Sequence, residues 1–208
     1  SNRGIALQEL KQFEAALASY DKAISLKPDH AEAYSNRGIA LNELEQFEAA
    51  IASYDKAISI KPDHAEAFLN KSLALLLIGE FGSGWPLYEW RWRNGTADLK
   101  NPAFTQPLWL GAESLHGKTI LLWCEQGLGD TIQFIRYAAL VAEIGGRVIA
   151  SVPNSLMRLL SSLDGVSEWV EQGGTLPAFD FHCPLLSLPL AFKTDLTSIP
   201  SSHAYLRS

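Results

Sequence analysis

The chain has 208 residues, 47% of them hydrophobic, with 17 Lys and Arg against 23 Asp and Glu and a formal net charge of −6. That is enough for one large domain or two smaller ones with cores of their own, and the dispersed charges leave no electrostatic footprint for nucleic acid or an anionic membrane surface. The longest apolar run, Leu73 to Ile78, is far too short to span a bilayer, and no signal peptide opens the chain.

Two cysteines, Cys124 and Cys183, both fall in apolar segments. They are expected as buried free thiols rather than a disulfide or metal site, which suits a reducing, cytoplasmic location.

The first third of the chain repeats itself. Ser1-Asn2-Arg3-Gly4-Ile5-Ala6-Leu7 returns as Ser35-Asn36-Arg37-Gly38-Ile39-Ala40-Leu41, and Lys27 to Ala33 returns as Lys61 to Ala67, an offset of 34 residues. Because Ser1 already stands inside a repeat, the natural N-terminus is expected further upstream. Tyr34, Gly38, Leu41, Ala50, Tyr54, Ala57 and Pro62 alternate large, small and helix-stopping residues at this period. The pattern closely resembles the tetratricopeptide repeat over 1–93, two helices per repeat. Small Gly38 and Ala50 let the two helices approach and Tyr54 fills the groove between them. Pro62 stops the second helix, after which Asp63 with Glu66 is expected to form a capping-box-like start for the next, as Asp29 with Glu32 does one repeat earlier. His30 and His64 then mark first helical positions and carry no metal chemistry.

The third repeat starts with Ala65-Glu66-Ala67-Phe68 and then departs from the pattern, with Arg91 where alanine is usual and Thr96 where proline is. Trp85, Tyr88, Trp90 and Trp92 predict an aromatic final helix that covers the last repeat and docks the following domain. Asn2, Asn36 and Asn70 occupy one repeat position on the first helix of each pair, the helix that lines the concave face. Stacked carboxamides can donate to and accept from an extended peptide backbone, which makes a protein or peptide the expected partner there. The arrangement resembles the asparagine ladder of O-linked N-acetylglucosamine transferase repeats, although asparagine is also common at this place in tetratricopeptide repeats at large. Ile5 and Ile39 stand where repeats that clamp chaperone C-terminal carboxylates carry asparagine, which disfavours that specialisation.

Residues 94–117 read as a linker, interrupted by Pro102, Pro107, Gly111 and Gly117, with Phe104, Trp109 and Leu110 packing it down. Thr119 to Cys124 then predicts a buried parallel strand. It meets the turn Glu125-Gln126-Gly127-Leu128-Gly129-Asp130, and Thr131 to Glu143 predicts an amphipathic helix. The glycines are expected to let the backbone turn sharply, as at the ligand-binding junctions of open α/β sheets. The turn lacks both the third glycine of a dinucleotide fingerprint and the Gly-Lys-Ser/Thr of a P-loop, so neither cofactor follows. Asp130 is either a helix N-cap or a catalytic or ligand-binding carboxylate.

Further strands are expected at Arg147 to Val152, Val166 to Val170 and Phe179 to Cys183, with a helix over Asn154 to Leu163. Strands alternating with helices imply βαβ units and a parallel sheet. His182 and Cys183, neighbours on opposite faces, make a poor joint site.

The run Trp123 to Phe134, the run Phe179 to Pro189, the segment Gly84 to Arg91 and the ending Ile199-Pro200 to Tyr205-Leu206 together resemble bacterial tetratricopeptide proteins with a glycosyltransferase family 9, heptosyltransferase-like region. The resemblance implies a multidomain α and α/β fold: a tetratricopeptide solenoid over 1–93, the packed linker over 94–117, and over 118–208 a Rossmann-like lobe forming the N-terminal half of a GT-B fold. In that family the first lobe holds the acceptor and the second the nucleotide-sugar donor, and transfer is inverting and independent of metal. The Gly-Asp of the first loop supplies the general base, which by motif is Asp130, with Gln126, Gly127, Gly129 and Thr131 around the acceptor. The donor lobe is absent from these residues, so no cofactor is expected for this chain, while a nucleotide-sugar donor is expected for a full-length enzyme. Two readings remain. The repeats recruit a protein or glycan acceptor for a glycosyltransferase, or the chain is a non-catalytic peptide-binding scaffold.

Overall fold

The computed structural model describes residues 1–93 and 102–200. The start of the linker and the segment after Pro200 therefore lie outside the described residues. The chain divides into two compact units, Ser1–Thr96 and Ala97–Ser208.

The first unit is a run of helix pairs: α1 (Asn2–Glu9) with α2 (Phe13–Leu26), α3 (Ala31–Glu43) with α4 (Phe47–Ile60), and α5 (Ala65–Leu77) with α6 (Phe81–Tyr88). The packing follows the repeat. A Cβ on Gly38 would collide with the Tyr54 ring, and one on Gly4 with Tyr20, so glycine at this place lets the aromatic of the second helix lie against the first. Tyr54 is 1% exposed and clusters with Leu41, Ala50 and Ala74, so it joins two successive repeats.

The repeats also share a polar seam. Arg37 Nε donates to Asp21 Oδ1 at 2.7 Å and its NH1 to the Ser53 hydroxyl at 2.6 Å, while one repeat later Lys71 Nζ donates to Asp55 Oδ1 at 2.5 Å. In each case a cation on a first helix reaches the acid of the preceding second helix.

Helix starts differ from expectation. His30 and His64 are N-caps and the helices begin at Ala31 and Ala65. Neither Asp29 nor Asp63 caps. Each stands in a turn closed by a histidine N–H donating to Lys27 or Lys61 O, one residue too early to reach the first helical N–H groups. Glu32 meets the His30 ring at 3.2 Å instead of completing a capping box.

The last repeat closes differently too. After Tyr88 the chain tightens into a 3-10 turn over Glu89–Arg93 rather than continuing as one aromatic helix. Trp90 stacks on Phe68 with ring centroids 3.9 Å apart, which covers the last repeat. Arg91 is 1% exposed, pairs with Glu89 Oε1 at 2.7 Å and lies over the Tyr88 and Trp92 rings. The alanine position thus holds a buried, paired cation that ends the stack.

The second unit is built on four parallel strands: β1 (Thr119–Trp123), β2 (Arg147–Val152), β3 (Val166–Glu171) and β4 (Phe181–Pro184), in the order β3-β2-β1-β4. The helices are α7 (Leu128–Phe134) and α8 (Tyr137–Glu143) between β1 and β2, α9 (Asn154–Leu160) between β2 and β3, and α10 (Leu188–Ala191) after β4. The single helix expected over Thr131 to Glu143 is broken at Ile135-Arg136. Arg136 Nε donates to Gln133 O at 2.8 Å and the Ala138 N–H to Ile135 O, a tightened turn that brings Ile135, Tyr137 and Ala138 all inside. One straight helix could not bury so wide an arc. Strand β4 begins at Phe181, two residues later than expected, because Phe179 instead packs edge-on against Phe104. Helix α9 stops at Leu160, short of Leu163, which is still buried.

The described part of the linker is packed as expected, but not through Leu110, which is 37% exposed. Leu108 forms a parallel bridge with His182 on the side of β4 away from β1, and Trp109 is buried with its ring N–H on Glu113 O at 2.9 Å.

Candidate functional site

In the first unit Asn2, Asn36 and Asn70 lie on α1, α3 and α5 at the same repeat position, Asn2 exposed and the others half-buried. None of the three carboxamides makes a side-chain hydrogen bond among the described residues. One helical turn on, Ile5 and Leu73 are each 43% exposed and Ile39 is partly so. The spacing i, i+3 puts each carboxamide and its aliphatic neighbour on one face. These first helices therefore offer paired donor–acceptor and apolar groups at a regular interval.

In the second unit the chain runs from β1 to its left-hand neighbours β2 and β3, then returns to the other side of β1 for β4. The β1 loop lies where the order reverses, at the carboxyl ends of the strands, where open α/β sheets place ligands. Glu125 Oε1 accepts the Leu186 N–H at 3.2 Å and so ties this loop to the one after β4.

The predicted loop residues have divided roles. Gly127 is the N-cap of α7, and Asp130, at the third helical position, accepts the Gly127 N–H at 3.2 Å. Asp130 thus supplies the reaching-back half of a capping box instead of being the N-cap itself. Thr131 is 1% exposed, with its hydroxyl donating to Gly127 O at 3.0 Å, so it holds the loop from inside. Gln126 is partly exposed, and Gly127 and Gly129 are exposed. The expected sharp glycine turn is absent. Gly127 sits at φ −69° and ψ 172°, which any residue adopts, Gly129 is helical, and a Cβ on Gly129 would meet nothing within 4 Å. What the two glycines do is leave the backbone at the loop uncovered.

A cavity of about 290 Å³ lies at the carboxyl ends of β1 and β2, lined by Phe104, Trp123, Cys124, Ser151, Gln172 and Leu176 among others. Sequence reasoning did not anticipate it. The connection from β3 to β4 contains no helix, and its Gln172 to Leu176 stretch passes the strand ends here, while Phe104 comes from the linker. The Gly-Gly-Thr-Leu-Pro turn marked that loop as irregular, but nothing in it showed where it would lie.

Beside the cavity, the Trp123 ring N–H donates to His182 Nδ1 at 3.3 Å, and the Phe104 ring centroid is 4.9 Å from that of His182. Burial holds the His182 pKa below its ordinary value. The folded unit therefore binds fewer protons at His182 than the unfolded chain does. Stability from this group is complete above the unfolded value of about 6.5 and falls as pH drops below it. A protonated Nδ1 would also lose the Trp123 bond. Denaturant midpoints of the second unit should drop between about pH 7 and about pH 5, and His182→Asn should flatten that slope; an unchanged slope would assign the pH dependence to other groups.

Both cysteines, Cys124 and Cys183, are buried and neither forms a disulfide. Burial, the largest influence, raises the Cys124 pKa, and the Thr131 hydroxyl partly opposes it. Such a thiol is a packing residue and not an activated nucleophile. Among the described residues no cluster of three His, Cys, Asp or Glu side chains could hold a metal ion, and no helix is long and apolar enough to cross a membrane.

With this geometry in view, comparison with known proteins locates the family resemblance. The tetratricopeptide repeat family model matches residues 2–74. These residues are tetratricopeptide repeats. The chain is 30% identical to the TPR2AB domain of yeast Sti1, solved as a pHSP90 complex, over 42% of this chain and 34% of that one, with a TM-score of 0.41. It is 28% identical to the Sti1 TPR2B domain, solved as a pHsp70 complex, over 45% of this chain and 80% of that one, with a TM-score of 0.42. To the Arabidopsis OM64 TPR domain it is 26% identical, over 45% of this chain and 78% of that one, with a TM-score of 0.44. The chain thus spans about a third of the Sti1 TPR2AB chain. No curated protein matches it.

Proposed function

We propose that the repeats form a protein-interaction scaffold that binds extended peptide. The observation that carries this reading is the row Asn2, Asn36 and Asn70, its carboxamides unengaged and set beside Ile5, Ile39 and Leu73. Carboxamides read a peptide main chain without choosing its sequence, and the aliphatic neighbours add burial for every few residues bound. The Sti1 domains are solved with pHSP90 and pHsp70. In this chain the aliphatic row favours internal extended segments over a terminal carboxylate. Peptides selected from a random display library on the whole chain should lose about tenfold or more in affinity to the double variant Asn36→Ala, Asn70→Ala, whatever their side chains. Undiminished binding would reject the carboxamide row.

The strand order β3-β2-β1-β4 favours a second reading for residues 118–208. It matches the first four strands of the doubly wound order 3-2-1-4-5-6, with the β1 loop at the reversal point. In this reading the unit is the acceptor side of a GT-B glycosyltransferase cleft, Asp130 is the general base toward a glycan or protein hydroxyl, and Gln126, Gly127 and Gly129 border the acceptor. The nucleotide-sugar donor belongs to a separate lobe. Residues 1–208 alone should release no nucleotide from nucleotide sugars, because only one of the two reactants is held. Where the unit is joined to a donor lobe, Asp130→Asn should lower turnover about 10²–10⁴-fold while the amide oxygen still accepts the Gly127 N–H. Full activity in that variant would leave Asp130 a capping residue.

A further inference from the structure

The cavity at the carboxyl ends of β1 and β2 is separate from the Asp130 loop, since none of Gln126, Gly127, Gly129 and Asp130 lines it. Side chains alternate between the faces of a strand, so Leu121 and Trp123 of β1 share one face of the sheet. Ser151 is the β2 residue opposite Trp123 and lies on that same face. All three line the cavity, together with Phe104, Gln172 and Leu176. Phe104 is held from three sides: its ring centroid is 6.0 Å from that of Trp123 at an interplanar angle of 76°, 5.5 Å from that of Phe179 and 4.9 Å from that of His182. Two flat walls therefore meet in a corner that is formed before anything binds.

Two polar side chains stand at this corner without partners. Ser151 is only 7% exposed, yet its hydroxyl makes no hydrogen bond among the described residues, and a buried hydroxyl is costly until something pairs with it. Gln172 is held at the strand end by its backbone N–H, which donates to Val152 O, while its carboxamide is exposed and equally unengaged. No charged side chain lines the cavity among the described residues, so nothing there offsets a phosphate or a carboxylate. At about 290 Å³ the cavity lies at the lower end of small-molecule sites, about 300 Å³, which leaves room for one ring system with few substituents.

We propose that this cavity binds a small, uncharged, planar nitrogen heterocycle of the nucleobase kind. The ring lies in the corner of Phe104 and Trp123, the Ser151 hydroxyl pairs with a polar atom at its inner edge, and the Gln172 carboxamide takes a donor and an acceptor set side by side at its outer edge. A sugar carries an oxygen at nearly every carbon and would leave most of them unpaired against these walls. With no cation among the described lining residues and a net charge of −6 on the chain, the site suits a free heterocycle and not a nucleic-acid strand. The proposal is independent of the peptide-binding row and of the role of Asp130.

The test is isothermal titration calorimetry of the whole chain against adenine, cytosine and uracil, with indole and methyl glucoside as comparison ligands. At least one of the three bases should bind, and indole, equally flat but without an acceptor, should bind about tenfold or more weakly because it leaves Ser151 and Gln172 incompletely paired. Ser151→Ala and Gln172→Glu should each weaken the bound base about five- to tenfold, the second because a carboxylate only accepts. Ser151→Ala should leave the unfolding midpoint of the free chain unchanged, since its hydroxyl holds nothing there. Indole binding as tightly as the best base would make the cavity a plain apolar slot and overturn the proposal. So would methyl glucoside binding more tightly than every base, no binding of any of the three bases, or a base affinity that neither substitution lowers.

Discussion

Tyr54→Ala is expected to destabilise the solenoid by about 3–5 kcal/mol, the range for truncating an aromatic side chain in a packed core. The ring is 1% exposed, lies over Gly38 and shares its cluster with Leu41 and Ala50 of its own repeat and Ala74 of the next. Deletion leaves a void that helices held by their own backbones cannot close, and it loosens both the pair α3–α4 and its junction with α5. Denaturant unfolding followed by helical circular dichroism would measure it. A loss under about 1 kcal/mol would mean the groove collapses around alanine. The ring's burial also pushes the phenol well above its usual range, with Glu66 and Glu43 adding to the shift, so ionisation of Tyr54 in alkali should accompany unfolding and not precede it.

The second large effect is expected from Gly165→Ala in the other unit. Gly165 turns the chain from α9 into β3 at φ +90°, and a Cβ there would stand 2.8 Å from Ala139 Cα and 3.2 Å from Ala138 O. The backbone conformation costs about 1–3 kcal/mol for a side-chain-bearing residue, and pressing on helix backbone costs about 1–3 kcal/mol more. Because Ala138 and Ala139 belong to α8, relief requires moving a helix. The signal to follow is the near-ultraviolet dichroism of buried Trp109, Trp123 and Tyr137, all in the same unit. An unchanged midpoint would show that α8 shifts at little cost.

These two residues also mark how much the sequence disclosed. Gly38 and Tyr54 were readable because a pattern repeated at 34 residues exposes its own packing rule. The tetratricopeptide pairs followed from that, as did the parallel strands from their apolar runs. Gly165 was not readable, since its constraint comes from a helix more than twenty residues away. The break at Ile135-Arg136 was hidden for a similar reason: the segment has a helical period, and only the demand to bury Ile135 and Tyr137 together bends it. At the candidate site, Gly127, Asp130 and the strand end were visible as a motif. The cavity was not, because Phe104, Trp123, Ser151 and Gln172 meet through the order of strands, which local pattern does not fix. The Arg37–Asp21 seam was latent in the repeat but looked like ordinary surface charge until the helices were set side by side.

The bridge between Leu108 and His182 bears on how the second unit could be cut out of the chain. Of the two outer strands, β3 carries Glu168 and Glu171, charges that discourage another chain from pairing with it. Strand β4, Phe-His-Cys-Pro, carries no charged residue in its span. Its outer backbone is instead occupied, with the His182 N–H donating to Pro107 O at 3.1 Å and the Trp109 N–H donating to His182 O at 2.8 Å. A fragment begun at Lys118 would keep every strand and helix of the sheet yet bare that apolar edge, and would meet its neighbours in solution as a template for strand addition. The same fragment begun at Pro102 carries its own cover.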